Sequence, residues 1–465
     1  MNMINVRRLT VMTFLGAGML SGISAQVSPL QVDTLKETKI PDQWDLQSCI
    51  DYAKEQNITI RKNRITAVST QIDVKTAKAA LFPSLSFSTG HQVVNRPYQE
   101  TSSRVSGSEI ISSNSKTSYN GNYGLNASWT LYNGNKRLKT IQQEKLNNQM
   151  AELDVATSEN NIQESIAQVY IQILYAAESV KVNENTLQVS IAQRDRGQEL
   201  LNAGSIAKSD LAQLEAQVST DRYQLVTAQA TLEDYKLQLK QLLELDGENE
   251  MNIYLPALSD ENVLAPLPTK RDVYISALSL RPEIEASKLN VEASELGINI
   301  AKSSYFPTIS LSAGIGTNHT SGSDFTFGEQ VKNGWNNSIG LSVSVPIFNN
   351  RQTKSAVQKA KLQYETSMLS LLDEQKALYK TIESLWLDAN SAQQRYAAAN
   401  EKLKSTQISY ELISKQFNLG MKNTVELLTE KNNLLQAQQE QLQAKYMAIL
   451  NTQLLKFYQG DQLAL

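Results

Sequence analysis

Few residues of this chain have the types and spacing that catalysis or ligand chemistry requires. It contains two histidines, His91 and His319, and a single cysteine, Cys49. With so few such side chains, the sequence offers no nucleophile–histidine–acid pattern, no zinc-ligand spacing and no glycine-rich phosphate loop. The sequence therefore predicts that the protein is not an enzyme and has no catalytic residues, no cofactor and no metal.

The histidines and the cysteine each allow two interpretations. His91 and His319 fall at the starts of the polar segments 91–118 and 317–336, which we expect to be surface loops. A metal ion trapped by both residues in an oligomer is one reading, and chance placement in polar loops is the favoured one. For Cys49, a free thiol or an intermolecular bridge is weighed against a buried apolar side chain on the first helix, and burial is favoured.

The first residues have the layout of a secretory signal. Arg7 and Arg8 precede a short apolar run, and Ala25 ends the segment, so we exclude residues 1–25 from the fold. No later stretch is long and apolar enough to predict a transmembrane helix. Without those two arginines, the 44 basic residues become 42 against 47 acidic residues. This mildly negative balance does not indicate a nucleic-acid partner.

The chain is built from two copies of one unit. Residues 77–90 reappear as residues 301–314, at an offset of 224, and residues 123–133 match residues 339–349 at an offset of 216. The change of offset falls between the two strands of each unit and indicates a surface loop there. We divide the chain into a signal peptide (1–25), an extended leader (26–43), a first repeat (44–247), an equatorial linker (248–270), a second repeat (271–461) and a tail (462–465).

Each unit contains two predicted strands in which apolar and small polar residues alternate. The pattern is clear over Tyr123–Leu131, Ile309–Gly316 and Ile339–Ile347. Strands of about 9–11 residues have the length of a tilted strand that crosses a bilayer. Alternation alone also suits a half-buried sheet in a soluble sandwich.

The predicted helices favour the membrane reading because they are too long for a globule. One helix extends from Lys136 to about Ala203, or roughly 100 Å, and the second unit matches it from about Arg351 to Leu419. After Gly204, apolar residues recur every seven positions, with Asp221 interrupting one row. Shorter helices are predicted over Asp45–Leu81, Ser205–Leu245, Arg271–Tyr305 and Asn423–Phe457. Two short helices stacked end to end match one long helix.

Four strands cannot close a barrel, and an open sheet edge in lipid leaves backbone groups unpaired. Three copies would supply twelve strands, within the range of outer-membrane barrels. The predicted fold class is an α+β membrane protein. Four β-strands per chain contribute to a trimeric 12-strand outer-membrane barrel, which is continued by a long periplasmic α-helical barrel with a small equatorial region.

From about Trp44 to Asp461 the chain resembles the TolC-type outer-membrane efflux proteins. The resemblance rests on the duplicated unit, the Phe-Pro pairs at 82–83 and 306–307, and the turns at 202–205 and 418–421. It implies a homotrimer in outer-membrane lipid that conducts substrates passively from the periplasm to the exterior. The implied partners are a periplasmic adaptor (membrane fusion) protein and an inner-membrane pump.

The resemblance also implies two sites at the helix turns. The adaptor-docking tips would be Ala203, Gly204, Ser205, Leu419, Gly420 and Met421. Glycine there also serves the turn itself, because it permits a positive φ after a helix. The periplasmic gate would comprise Ser209, Asp210, Phe417, Lys422, Glu426 and Thr429.

Each gate residue has an implied role. Glu426 and Thr429 occupy two positions that are acidic in the family, so one acid is kept; three Glu426 carboxylates would favour cations, unless each is only a solvated surface charge. Lys422 would link to Ser209 and Asp210 across the closed entrance. Phe417 lacks a hydroxyl group, which removes one hydrogen bond and predicts a looser latch.

Two other functions remain open from the sequence. A dedicated type I protein-secretion channel would share these features, because a conduit itself makes few substrate choices. A periplasmic coiled-coil adaptor would lack four strands of membrane length.

Overall fold

The computed structural model describes residues 40–98, 102–106, 109–113, 116–246, 251–256, 263–321, 323 and 325–463. The predicted signal peptide (1–25), most of the extended leader (26–43) and part of the equatorial linker (248–270) lie outside the described residues. No helix in the described part of the chain combines the length and the apolar character needed to cross a bilayer.

The helices follow the predicted order of the two repeats. They are α1 (Leu46–Gln56), α2 (Ile58–Ala79), α3 (Lys136–Asn202), α4 (Lys208–Leu242), α5 (Lys270–Leu280), α6 (Pro282–Ser303), α7 (Phe327–Asn333), α8 (Gln352–Asn418) and α9 (Thr424–Gln459).

Two long helical hairpins dominate the structure. Helices α3 and α8 each have 67 residues, which at 1.5 Å per residue gives about 100 Å. The return helices α4 and α9 have 35 and 36 residues. All four helices lie within a few residues of their predicted ranges, and α8 and α9 begin 216 residues after α3 and α4. The two hairpins are therefore equivalent in length and in spacing along the chain.

The predicted helices Asp45–Leu81 and Arg271–Tyr305 were wrong, because each is divided into two. The first breaks at Asn57, whose Oδ1 accepts hydrogen bonds from the N–H groups of Thr59 and Ile60 and so caps α2. The second breaks before Pro282, which has no N–H group and occupies the first turn of α6. Asn57 and Arg281 are 224 residues apart, so the break belongs to the repeat.

Arg281 ties the second break to the long helix of the first repeat. Its guanidinium is buried and donates to Glu164 Oε1 at 2.9 Å and to Glu283 Oε1 at 2.8 Å. The same group lies 4.0 Å from the ring centroid of Tyr458. Burial raises the pKa of Glu164, and the adjacent Arg281 charge opposes that shift. The contacts fix α6 against α3 and α9.

The main sheet is antiparallel with strand order β1-β4-β5-β6. Its register places Leu85, Ala127, Ala313 and Ile339 side by side. A smaller two-stranded sheet lies between β1 and β4 in the chain. The strands are β1 (Ser84–Asn95), β2 (Ser102–Ser106), β3 (Glu109–Ser113), β4 (Thr117–Asn133), β5 (Thr308–Thr320) and β6 (Asn336–Ser344).

The predicted loops 91–118 and 317–336 were too long. Backbone pairing continues to Asn95↔Thr117 and Asn120↔Thr320, so His91 and His319 lie on strands. The described part of the first loop forms strands β2 and β3, and the second loop contains α7. The strand predicted over Ile339–Ile347 ends at Ser344, because Pro346 has no N–H group to donate to a ladder.

The largest buried cluster lies where the linker crosses the helices. Trp44 pairs with Ile253 of the linker in a parallel bridge, and the Tyr170 hydroxyl donates to the Tyr254 carbonyl at 2.6 Å. Cys49 is fully buried in this cluster, and burial raises its pKa to about 12. The favoured interpretation of Cys49 as a buried side chain is therefore confirmed.

Candidate functional site

The two hairpin turns have the same backbone structure. At the first, the N–H of Gly204 donates to the Leu201 carbonyl at 2.9 Å, and the next N–H donates to the Leu200 carbonyl at 2.8 Å. Gly420 repeats this double hydrogen bond after α8, with both distances at 2.9 Å. Gly204 and Gly420 have φ values of 73° and 74°, in the left-handed region that glycine adopts at lowest cost. Both glycines are thus explained by the turn alone.

The two turns differ in the side chains beside the glycine. Leu419 and Met421 are 75% and 70% exposed around Gly420. At the first turn the corresponding residues are Ala203 and Ser205, which are smaller and also exposed. The second tip therefore presents an apolar surface at the end of the hairpin.

The return helices begin with equivalent carboxylates. Asp210 Oδ2 accepts a hydrogen bond from the N–H of Ala207 at 3.0 Å. In the second repeat, Glu426 Oε2 accepts from the N–H of Asn423 at 3.2 Å, and Asn423 Oδ1 accepts from the N–H of Glu426 at 2.8 Å. Such reciprocal bonds satisfy the first N–H groups of a helix. Capping therefore accounts for both acids, which lie 216 residues apart.

Lys422 binds Glu426 within its own tip. Its Nζ donates to Glu426 Oε1 at 2.6 Å, and both side chains are partly exposed. The hydrogen bond from Lys422, followed by that from the Asn423 backbone, lowers the pKa of Glu426. Within one chain, Lys422 and Asp210 are engaged within their own hairpins, and the predicted link from Lys422 to Ser209 and Asp210 stays a prediction.

The other two gate residues also have local contacts. Phe417 is only 3% exposed and borders a cleft of about 570 Å³ between the hairpins, together with Gln193, Tyr410 and Leu427. Thr429 is exposed, and its hydroxyl donates to the Val425 carbonyl at 2.8 Å. Phe417 thus packs between the hairpins, whereas the Thr429 side chain is exposed on α9.

A buried ionic cluster joins the hairpins farther along α9. Lys431 Nζ contacts the carboxylate of Asp221 on α4 and the hydroxyl of Ser190 on α3. The three side chains are 2–3% exposed. Ser190 also donates to Asp221, and Gln217 Nε2 donates to Asp221 Oδ1 at 2.9 Å. Burial lowers the pKa of Lys431, and the hydrogen bond and charge of Asp221 oppose that shift.

The sequence indicates one member of this cluster but not its partner. Asp221 interrupts a row of apolar residues at seven-residue spacing, and an acid at such a position requires a buried partner. Nothing in the spacing identified that partner, because Lys431 lies 210 residues away, in the other repeat. We name Ser190, Asp221 and Lys431 the inter-hairpin cluster.

The described residues contain no group of three or more His, Cys, Asp or Glu side chains arranged to hold a metal ion. The candidate site comprises an apolar surface at the second tip, a lysine–glutamate ion pair beside it and a buried ion pair between the two hairpins.

Comparison with known proteins agrees with this architecture. The chain is 24% identical over 294 residues to the outer membrane efflux protein BepC of Brucella suis, with 63% of this chain and 61% of that protein covered. It is also 24% identical over 294 residues to the outer membrane protein TolC of Escherichia coli, with 61% and 58% covered. The matched region thus spans about three fifths of the length of either relative.

A solved structure of CusC matches more of the chain. The two share a TM-score of 0.75 and 19% identity, with 90% of this chain and 92% of CusC covered. At this identity the match establishes the fold, and it confirms the predicted α+β class with long helices and a four-stranded antiparallel sheet.

The family model described as outer membrane efflux protein matches residues 49–244 and 273–460. These two ranges cover most of both repeats and leave out the equatorial linker. The match also places the protein in the outer membrane. The chain therefore belongs to the outer membrane efflux protein family.

Proposed function

We propose that this chain is the channel subunit of a tripartite efflux or secretion system, that it acts as a homotrimer, and that it passively conducts substrates from the periplasm to the exterior. Within the described residues, β1 and β6 each pair with one strand of the main sheet. Their outer edges therefore carry backbone groups that need partners in lipid. Three copies would join these edges into a closed barrel.

The observation that carries the proposal is the exposed apolar face of the main sheet. Ile339 and Leu341 are 83% and 65% exposed, and Leu85 and Phe87 on the opposite edge strand are similarly exposed. The other face carries small polar residues such as Ser86. An exposed apolar face backed by a small polar face is what a lipid-facing wall around an aqueous channel requires.

The helical hairpins support the periplasmic part of the proposal. Helices of about 100 Å that continue from a membrane sheet extend well beyond a bilayer. With the shorter helices stacked in pairs beside them, a trimer would have twelve columns, which would form a tube. The tips would then lie at its far end. The exposed Leu419 and Met421 offer an apolar surface to a periplasmic adaptor, which in turn would contact an inner-membrane pump.

We assign the periplasmic entrance to the same tips. Lys422 and Glu426 would place three cations and three carboxylates around it, with Thr429 one turn farther along α9. Because Lys422 pairs with Glu426 at 2.6 Å, the ring would be close to neutral rather than acidic. Phe417, Ser209 and Asp210 would support the turns that carry this ring.

Assembly and conduction test the central claim. The protein extracted from outer membranes with detergent should have the mass of a trimer by native mass spectrometry and should form ion-conducting pores in planar bilayers. A monomer that stays in water without detergent would contradict the channel. Recovery of the native protein in the periplasmic fraction would favour a coiled-coil adaptor instead.

Adaptor docking is tested separately at the apolar tip. Leu419→Asp and Met421→Asp should each reduce co-purification of the adaptor and leave the trimer intact, because both side chains are exposed. Gln407→Asp, at an exposed site on α8, is the matched control. Undiminished co-purification by both tip variants would exclude this surface as the docking site.

A further inference from the structure

The two histidines of the chain occupy one row of the main sheet. Gly121 on β4 pairs with His91 on β1 and with His319 on β5. Directly opposed residues point to the same face of a sheet. Both imidazoles therefore lie on the same face, on either side of a residue that has no side chain.

The rings of both histidines lie close to the space above Gly121. A Cβ atom at that position would lie 2.6 Å from His319 Nδ1 and 3.2 Å from His91 Nδ1. The two nitrogens are thus no farther apart than the sum of those distances, and binding of one ion by both requires the rings to close to about 4 Å. Glycine makes this approach possible, because any larger residue would occupy the space between the rings.

The ring of His91 is held between two hydroxyl groups. Its Nε2 lies 3.1 Å from Thr89 Oγ1, and its Nδ1 lies 2.7 Å from the Tyr119 hydroxyl. In the ring form that donates from Nε2 to Thr89, Nδ1 carries a lone pair, and an ion bound at Nδ1 takes the place of the hydrogen bond from Tyr119. Such a hydrogen bond from the remote nitrogen is the usual support of a metal-binding histidine.

Aromatic rings hold His319 in place. Its ring centroid lies 4.9 Å from that of Phe327 and 5.3 Å from that of Tyr119. Its Nδ1 is shielded from solvent and has no hydrogen-bond partner among the described residues. A shielded nitrogen without a hydrogen-bond partner is available to a ligand.

We propose that His91 and His319 bind one divalent transition-metal ion above Gly121 through their Nδ1 atoms. Imidazole nitrogen suits copper, zinc and nickel, and copper forms the strongest complexes of the three. The Tyr119 hydroxyl or water completes the coordination, since the protein supplies two nitrogen ligands. The ion ties β1 to β5 across β4, at the end of the sheet remote from the long helices. His91 shares the face of Leu85, and His319 that of Ala313, so the site lies on the outer face of the proposed barrel, near the end remote from the helices; metal binding itself can be tested without the channel function.

The small number of histidines makes the test specific. The sequence contains no histidine besides these two, so any imidazole bound to Cu²⁺ in the full chain without an affinity tag comes from this site. The chain in detergent should bind one Cu²⁺ per subunit, and pulsed electron paramagnetic resonance should report two imidazole nitrogens. A signal without coupled imidazole, or with only one, would overturn the proposal.

Three substitutions sharpen this result. His91→Ala and His319→Ala should each leave one coupled imidazole and weaken Cu²⁺ binding by roughly tenfold or more. Gly121→Ala should also weaken binding, because its methyl group would enter the space between the rings. Gln92→Ala, at an exposed neighbour of His91 on the opposite face, should bind like the native chain. Equal affinity in all four variants would contradict the site.

A second measurement needs no substitution. Diethylpyrocarbonate modifies unprotonated imidazole, and mass spectrometry locates the product on His91 or His319 in the native chain. Zn²⁺ should protect both histidines from modification, and the Zn²⁺ concentration that halves the modification should be the same for His91 and His319. Protection of neither residue, or of one residue alone, would contradict a shared ion.

Discussion

Two lysine–carboxylate pairs near the start of α9 differ in their surroundings. Lys422 lies in the turn just before α9 and pairs with Glu426 in its first turn, with side chains 34% and 40% exposed. Lys431 and Asp221 lie on different hairpins, with side chains 3% and 2% exposed. An ammonium group and a carboxylate group therefore pair within one hairpin in the first case and join two hairpins in the second.

The difference shows that the contribution of an ion pair to stability depends on how deeply the pair is buried. An exposed pair on one helix is screened by water and adds little to stability. A buried pair has lost its hydration, so removal of one partner leaves the other charge without compensation. We therefore expect the tip pair to control the charge of the entrance, and the inter-hairpin cluster to control how the hairpins are held together.

The largest effect is expected from Lys431→Met. This change leaves the Asp221 carboxylate buried without its cation, and we expect a loss of about 3–5 kcal/mol in unfolding free energy. Chemical denaturation of the detergent-solubilised protein, followed by tryptophan fluorescence, measures the shift. Lys404→Met on α8, at an exposed site, should change the midpoint little.

The double variant Lys431→Met/Asp221→Leu separates charge from packing. Removal of both charges leaves no uncompensated ion, so the double variant should be more stable than Lys431→Met alone. If the loss of stability in the double variant instead equalled the sum of the losses in Lys431→Met and Asp221→Leu, the two residues would not act as a coupled pair.

An intermediate effect is expected at the two turn glycines. Gly204→Ala and Gly420→Ala each place a side chain at a positive φ, which costs roughly 1–2 kcal/mol. No atom lies within 4 Å of a Cβ added at either position, so the cost is that of the backbone alone. The two variants should therefore lower the denaturation midpoint equally. Unequal losses would indicate that one tip is in contact with another subunit.

The hairpins could be predicted from the sequence because their signals are local. Absence of proline over Lys136–Asn202 and Gln352–Asn418, and glycine just beyond each end, define helices and turns without reference to tertiary contacts. The duplication then located the second hairpin from the first. Strand existence was equally clear, whereas strand ends depended on ladder pairing that the alternation does not encode.

The missed features depend on contacts between distant segments. Asn57 reads as an ordinary polar residue within a helical pattern until its side chain is seen to cap α2 and to donate to the Leu242 carbonyl at 3.0 Å. The partner of Asp221 likewise lies 210 residues away. At the second tip, by contrast, the pair of Lys422 with Glu426 could be read from the i,i+4 spacing alone.

The smallest effect on stability, and a specific effect on conduction, is expected from the tip pair. The pKa of Glu426 is lowered by Lys422, so the interaction is present above the ordinary glutamate pKa of 4.5 and is lost as pH falls through the lower folded value. In the proposed trimer, loss of the carboxylate charge leaves three Lys422 cations at the entrance. Reversal potentials in a salt gradient should therefore move toward anion preference as the pH falls below 4.5.

Substitutions separate the two charges at neutral pH. Glu426→Gln should shift the reversal potential toward anions, Lys422→Gln should shift it toward cations, and the double variant should lie between them, because each single change leaves one charge of the ring uncompensated. Glu440→Gln breaks a comparable exposed pair, in which Lys402 Nζ lies 2.7 Å from Glu440, and should leave selectivity unchanged. Shifts of the same sign for both single variants would show that Lys422 and Glu426 do not share the entrance.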